Sequence, residues 1–148
     1  PDAVLLKPGK LDDEEWKVMR QHPMIGHQIL ANSERPILKA ASIIALQHHE
    51  KYDGSGYPAN LKQDEIHIFS RIVAIADVFD ALTTSRTYKA AWSIDDAFNY
   101  LRDGSGSQFD PLLVSAFLEC KAEIIDICTQ FAEPTSKLAA VAAVALND

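Results

Sequence analysis

The feature that most constrains the fold is a run of seven residues, AASIIAL (40–46), which is apolar nearly all round a helix. Pro36 suits the first turn of that helix, where a backbone N–H has no intrahelical partner. A helix that is hydrophobic on every side must be covered by other elements. The run therefore predicts a buried helix from about Arg35 to Glu50, against which the rest of the chain packs.

Helical signals recur along the rest of the chain, and no alternating strand pattern is present. Asp12 and Glu15 have the spacing of a capping box, which predicts a helix reaching Leu30, with Pro23 kinking or restarting it. The same signals predict later helices over about Ile66 to Thr84, from Ser93, from Asp110 to about Phe131, and in the Ala/Val-rich tail after Pro134. We expect an all-α protein, and 148 residues suit one compact domain.

Charge and composition exclude several classes of protein. A formal net charge of −7 argues against coating DNA or RNA, which needs a basic surface. No apolar run approaches the ~20 residues that cross a bilayer, and no signal peptide is visible. Cys120 and Cys128 are eight residues apart in one predicted helix, too far for a disulfide, which favours reduced thiols and a cytoplasmic location. The missing initiator methionine indicates a piece of a longer protein.

Three histidines fall on apolar helical faces. His22 continues the stripe of Val18 and Ile29, while His48 and His49 continue two stripes of the central helix. One such histidine is usually a core residue, but three facing inward suggest ligands. Adjacent helical positions diverge by about 100°, so we expect His48 and His49 to serve two neighbouring ions rather than one.

Asp77 lies on a small-residue face of a helix that otherwise reads as core, which predicts a buried carboxylate in need of a cation. Imidazole and carboxylate ligands without thiolate suit iron, manganese or zinc better than a structural zinc. Two close metal ions commonly hydrolyse phosphoesters. Arg86 and Lys89 could hold the phosphates, or could equally be solvated residues after a helix end.

Four blocks in order, QHPMIGHQIL, HHEKYDGSGYP, RIVAIADVFDALTTSRTYK and GSGSQFDPLLVSAFL, resemble the HD-GYP family of bacterial phosphohydrolases. The resemblance covers residues 1–117, leaving 118–148 as C-terminal helices of a partial domain. It implies a helical bundle that holds two or three divalent ions, iron or manganese rather than zinc. It also implies a signal-transduction enzyme that hydrolyses cyclic di-GMP to pGpG and GMP.

The resemblance also implies roles for individual residues. The metal ligands would be His22, His48, His49 and Asp77. Residues beside the substrate would be Asp53, Gly54, Gly56 and Tyr57 of the loop before Pro58, with Arg86 and Lys89 on the phosphates. Asn60 and Gln63 stand where the family often has glycine, which raises the question of loop shape.

Other parts of the family pattern are expected before Pro1: the His-Asp pair, the lysine after it, and the N-terminal helices of the domain. No catalytic residue is therefore assigned within this chain, and the isolated fragment is expected to be inactive. Two alternatives stay open. One is a non-catalytic module that binds cyclic di-GMP, or a signalling protein through the GYP loop; the other is a hydrolase of another cyclic dinucleotide. An upstream sensory or receiver domain is expected, and a homodimer is left open.

Overall fold

A computed structural model describes residues 1–5, 7, 9–84 and 91–131. The described part is helical and contains no strand, as predicted. Its α-helices are α1 (Asp2–Leu5), α2 (Asp13–Met19), α3 (His22–Leu30), α4 (Pro36–Gln47), α5 (Ile68–Thr83), α6 (Ile94–Asp103), α7 (Pro111–Glu119) and α8 (Lys121–Gln130), with a 3-10 turn at Gln63–Glu65. No helix in these ranges is long and apolar enough to span a membrane. Arg86, Lys89 and the predicted tail helix after Pro134 lie outside the described residues.

The chain divides into two compact units, residues 1–118 and 119–148. The first unit contains α1 to α6 and almost all of α7, together with every histidine of the sequence. The second contains α8. The candidate site described below lies within the first unit.

Two predicted helices are each divided in the structure. The predicted helix up to Leu30 becomes α2 and α3, because α3 begins at His22 with Pro23 in its first turn. The Asp12 cap is confirmed: its carboxylate accepts from the Glu14 and Glu15 N–H groups, and the Glu15 carboxylate accepts from the Asp12 N–H. The helix predicted from Asp110 to about Phe131 is divided at Cys120, so the two cysteines do not share one helix.

The central helix is less buried than predicted. In α4 only Ser42 is fully buried, and Ile37 is 73% exposed. The predicted burial of α4 on every side was therefore wrong for the part of the chain that the structure describes. Its contact with α3 is nonetheless close, because a Cβ added at Gly26 would lie 3.2 Å from the Ala45 Cβ. This approach brings the start of α3 near the end of α4.

The hydrophobic core of the first unit lies around α5, α6 and α7. Phe79, Phe98 and Phe117 contact one another, with ring centroids 5.1 to 5.8 Å apart. Ile75, Leu101 and Val114, which lie on the same three helices, are at most 3% exposed. Burying several large apolar side chains together is the main favourable contribution to folding. The core thus fixes α5, and two polar connections hold the loops beside the site.

The first connection is an ion pair at the base of α5. Nη1 of Arg71 contacts an Asp110 carboxylate oxygen at 2.7 Å and an Asp64 carboxylate oxygen at 2.9 Å. Asp110 is 4% exposed and also accepts the N–H of Leu112 in the first turn of α7. The pair therefore joins α5 to the segment before α7.

The second connection pairs two distant loops through their backbones. The Tyr52 N–H donates to the Gln108 carbonyl at 3.2 Å, and the Asp53 N–H donates to the Ser107 carbonyl at 2.8 Å. We call residues 51–62 the GYP loop, and it leaves the end of α4. Its first turn is held by residues that follow it by more than fifty positions.

Candidate metal centre

Three imidazole rings converge where α3 begins and α4 ends. Nε2 of His22 lies 3.2 Å from Nε2 of His48 and 3.0 Å from Nε2 of His49. One nitrogen from each ring lies within 4.8 Å of the others. This is the one such group of three or more His, Cys, Asp or Glu side chains found among the described residues.

Hydrogen bonds to backbone carbonyls fix the tautomer of two of these histidines. Nδ1 of His22 donates to the Met19 carbonyl at 2.7 Å, and Nδ1 of His48 donates to the Ala45 carbonyl at 2.9 Å. Because a carbonyl oxygen only accepts, each Nδ1 carries the proton of its neutral ring and each Nε2 is left with a free lone pair. Two lone pairs facing each other at 3.2 Å form no hydrogen bond. The pair is arranged to bind a cation instead.

The spacing of the nitrogens fits a single metal ion. Imidazole nitrogens bind such ions at about 2.1 Å, so two ligands at right angles lie about 3 Å apart. Iron, manganese and zinc all accept imidazole nitrogen. The residues present therefore fit a divalent transition metal, with His22, His48 and His49 as its ligands.

The expectation that His48 and His49 diverge was wrong. Helix α4 ends at Gln47, with His48 as its C-cap, so His49 lies beyond the end of the helix. The two ring centroids are 4.0 Å apart with planes inclined by 39°. Their geometry thus allows both to contact one ion, and it no longer argues for two.

The environment of His49 keeps its ring neutral. Burial, together with the charges that His48 and His22 would carry, lowers the pKa of His49 to about 4. Charging a half-buried imidazole beside two others is unfavourable. At neutral pH the ring is therefore ready to bind a metal without first losing a proton.

Asp77 does not join the three histidines. It lies on α5 with an exposed side chain, so its predicted burial was wrong. Its role as a ligand stays a prediction, as do the phosphate contacts of Arg86 and Lys89, which fall outside the described residues. His27 lies apart from this centre: it is half-buried and its Nδ1 contacts the Ser42 hydroxyl at 2.8 Å.

Glu50 anchors the GYP loop, and sequence reasoning missed this role. Its side chain is 4% exposed, and its two carboxylate oxygens accept the N–H groups of Ala59 at 2.7 Å and Leu61 at 3.0 Å. Charge-assisted hydrogen bonds of this kind are stronger than neutral ones. The signal in the sequence was a glutamate directly after the two histidines. A charged residue at such a position is ordinarily expected to be solvated.

Close packing and a turn shape the first half of the loop. A Cβ added at Gly56 would lie 2.3 Å from the Lys51 nitrogen and 2.6 Å from the His49 carbonyl oxygen, so only glycine fits there. Asp53 accepts the Ser55 N–H at 2.8 Å, and its hydrogen bonds with Ser55 lower the pKa of its carboxyl group. Gly54 has a φ of +86°, which glycine adopts without strain.

Two non-glycine residues lie in the left-handed region, one in the second half of the loop and one directly after it. Asn60 has a φ of 56° and Gln63 a φ of 52°. Asn60 also donates from its side chain to the Gly56 carbonyl at 2.5 Å, a local bond that suits asparagine to this conformation. Both positions therefore keep a backbone shape that favours glycine, although neither residue is glycine.

The loop brings Tyr57 against the histidines. Its ring is stacked on the ring of His49, with centroids 4.8 Å apart and planes inclined by 26°. Cζ of Arg20 lies 5.3 Å from the centroid of the same ring. Burial raises the pKa of Tyr57, and the charge of Arg20 opposes that rise. The tyrosine thus joins the candidate metal centre to a cation on α2.

Comparison with known proteins identifies similar sequences. Residues 1–113 match the family model described as HD domain. The chain is 48% identical over 137 residues to the cyclic di-GMP phosphodiesterase response regulator RpfG of Xanthomonas campestris, covering 93% of this chain and 36% of that protein. It is also 48% identical over 127 residues to the 3'3'-cGAMP-specific phosphodiesterase 2 of Vibrio cholerae, covering 86% of this chain and 24% of that protein.

A solved structure shares the fold. It is a cyclic GMP-AMP specific phosphodiesterase of V. cholerae, which matches with a TM-score of 0.58 at 23% identity over 78% of this chain and 25% of that one. The chain spans between a quarter and about a third of the length of the relatives named here.

Proposed function

Because the chain belongs to the HD-GYP branch of the HD domain family, we propose that it forms part of a metal-dependent phosphodiesterase that hydrolyses cyclic di-GMP to pGpG and GMP. The observation that supports this most directly is the convergence of His22, His48 and His49 at 3.0 and 3.2 Å with two carbonyl-fixed tautomers. The name of the Xanthomonas relative, a cyclic di-GMP phosphodiesterase, supports the choice of substrate.

The proposal assigns a role to each described residue of the site. His22, His48 and His49 hold a divalent ion, for which we propose iron or manganese; a bound ion of this kind lowers the pKa of water and stabilises charge on a phosphate. Tyr57 lies against His49 and closes one side of the metal centre. Glu50 holds the loop that carries Tyr57. Asp77 is proposed as a further ligand, and Arg86 and Lys89 as phosphate contacts.

Metal binding is tested first. The intact gene product is expressed, its metal content is measured, and cobalt(II) absorption is titrated. We expect His22→Ala, His48→Ala and His49→Ala each to weaken metal binding by more than ~100-fold, since even residues that only support ligands contribute 10- to 100-fold. His67→Ser is the matched control, because His67 caps α5 through its side chain and serine can do the same. Unchanged metal affinity in all three alanine variants would refute the site.

Activity is tested on the same preparation. With iron or manganese bound, the intact gene product is expected to convert cyclic di-GMP to pGpG, and each alanine variant is expected to lose this turnover. Binding without turnover would support the alternative of a non-catalytic module. The ligand role proposed for Asp77 predicts a loss of metal in Asp77→Ala that Asp80→Ala does not share.

A second candidate substrate is 3'3'-cGAMP, because a relative of equal identity is named for it. Turnover of both dinucleotides under identical conditions separates the two. If kcat/KM is at least tenfold higher for 3'3'-cGAMP than for cyclic di-GMP, 3'3'-cGAMP becomes the proposed substrate. A cytoplasmic location, an upstream sensory or receiver domain and a homodimer stay predictions.

A further inference from the structure

Helix α2 places a cation and an aromatic ring next to the candidate metal centre. Arg20 is the C-cap of α2 and precedes His22 by two residues. Its Cζ lies 5.3 Å from the ring centroid of Tyr57 and 6.0 Å from that of Trp16. Since Tyr57 itself lies 4.8 Å from His49, the four side chains form a continuous series that leads away from the metal centre.

Arg20 is available to an anion. Within the described residues it forms no ion pair, whereas Lys17, on the same helix, contacts the Glu14 carboxylate at 2.6 Å. Its guanidinium group can donate two parallel hydrogen bonds to a phosphate. Because the whole chain carries a net charge of −7, an anionic ligand must be held by such local cations.

Trp16 is available to a planar ring. Its side chain is 45% exposed, and it borders a groove of about 280 Å³ that Asp13, Lys17 and Arg20 also line. An exposed indole is an effective surface for stacking a nucleobase. Asp13 supplies an acceptor-only carboxylate to the same groove, which complements the N1–H and N2–H₂ donors of guanine. Adenine presents no such pair of donors.

We propose that Trp16 and Arg20 form a guanine-nucleotide subsite, separated from the metal centre by the ring of Tyr57. The base stacks on Trp16 with its donor edge towards Asp13, and Arg20 holds a phosphate of the same dinucleotide. This inference rests on the proposed function and deepens it, because it names the surface that recognises the substrate. It assigns recognition to α2 rather than to the GYP loop alone.

Binding is measured by calorimetry with a phosphorothioate analogue of cyclic di-GMP and manganese, using the intact gene product. Loss of one stacked base weakens binding about 5- to 150-fold, so Trp16→Ala is expected to lie in that range. Arg20→Ala is expected to weaken it at least tenfold, with Arg20→Lys recovering part of the loss. Lys39→Ala and Leu112→Ala remove an exposed cation and an exposed apolar side chain elsewhere, and are expected to stay within twofold of the parent protein.

The split between KM and kcat separates recognition from a structural effect. Trp16→Ala is expected to raise the KM for cyclic di-GMP at least fivefold and to leave its kcat within twofold. A lower kcat with an unchanged KM would overturn the subsite. If the parent protein binds the analogue and Trp16→Ala and Arg20→Ala bind it equally well, the subsite is wrong and the proposed function stands. If the parent protein binds no analogue, both fail.

Discussion

The carboxylate of Glu50 accepts the backbone N–H of Ala59 at 2.7 Å, so a buried residue beside the histidines holds the far side of the GYP loop. Its other oxygen accepts the Leu61 N–H. In Glu50→Gln the amide group would face one of these donors and leave it unpaired. We expect a loss of about 1–3 kcal/mol in the free energy of unfolding, measured by urea denaturation.

Glu34→Gln is the control for this change, because Glu34 is an exposed acid whose ion pair with Lys39 contributes at most about 1 kcal/mol. Coincident unfolding midpoints for the two variants would show that Glu50 does not anchor the loop.

The two carboxylates on Arg71 should differ sharply in their contribution to stability. Asp110 is 4% exposed on its side chain and Asp64 is 91% exposed, yet both contact Nη1 of Arg71. Asp110→Asn keeps an oxygen that can cap α7 but removes the negative charge. The Arg71 guanidinium group would then lose its buried anionic partner. We expect a loss of about 3 kcal/mol or more for Asp110→Asn and below about 1 kcal/mol for Asp64→Asn.

Thermal and urea unfolding of these two variants provide the measurement. Equal losses would mean that the ion pair is as well solvated at Asp110 as at Asp64, contrary to the burial described above.

Replacing Gln63 with glycine should raise the free energy of unfolding, whereas replacing Asn60 with glycine should not. Both have a left-handed φ, of 52° and 56°, which costs an ordinary side chain roughly 1–2 kcal/mol. Gln63→Gly removes that strain, and after the entropy that glycine loses on folding we expect a gain of up to about 1 kcal/mol. Asn60→Gly also loses the hydrogen bond to Gly56, so no gain is expected. A loss of stability for Gln63→Gly, or an equal gain for both variants, in urea denaturation would contradict this reasoning.

The stability of the metal-free protein should fall in mild acid because of His49. Its pKa is about 4 in the folded state and 6.5 when unperturbed, so the unfolded state binds the proton more readily. The contribution of the neutral His49 ring to the free energy of unfolding is complete above pH 6.5 and is lost as the pH falls towards 4. Since the ring is half-buried, the slope should be only a fraction of the ~1.4 kcal/mol per pH unit of a single full proton.

Urea denaturation between pH 7.5 and 4.5 checks this for the parent protein and for His49→Gln, which cannot titrate. The variant should lose less stability than the parent over the same interval. Parallel curves would show that His49 is protonated equally in both states.

Local patterns were the most reliable part of the sequence prediction. The Asp12 capping box and the Ser93 cap depend on residues three positions apart, and both are found as predicted. The apolar periodicity also gave the correct fold class. The stripe containing Val18 and Ile29, by contrast, is 37% and 76% exposed at those two residues, so its periodicity did not report burial.

The details of the site depended on where a helix ends. A stripe analysis assumes that α4 continues to Glu50, but its last residue is Gln47, and the rings of His48 and His49 lie with centroids 4.0 Å apart. The role of Glu50 and the stacking of Tyr57 on His49 depend on the folded path of the GYP loop. No spacing rule within one helix contains that information.

The pairing of Tyr52 and Asp53 with Gln108 and Ser107 also bears on the order of folding. Contacts between residues so far apart in the sequence form late, because a long segment must first lose its freedom. During synthesis His22, His48 and His49 would leave the ribosome well before residues 107–110. In the nascent protein the GYP loop beside the metal ligands would therefore lack these backbone hydrogen bonds until residues 107 and 108 had been synthesised.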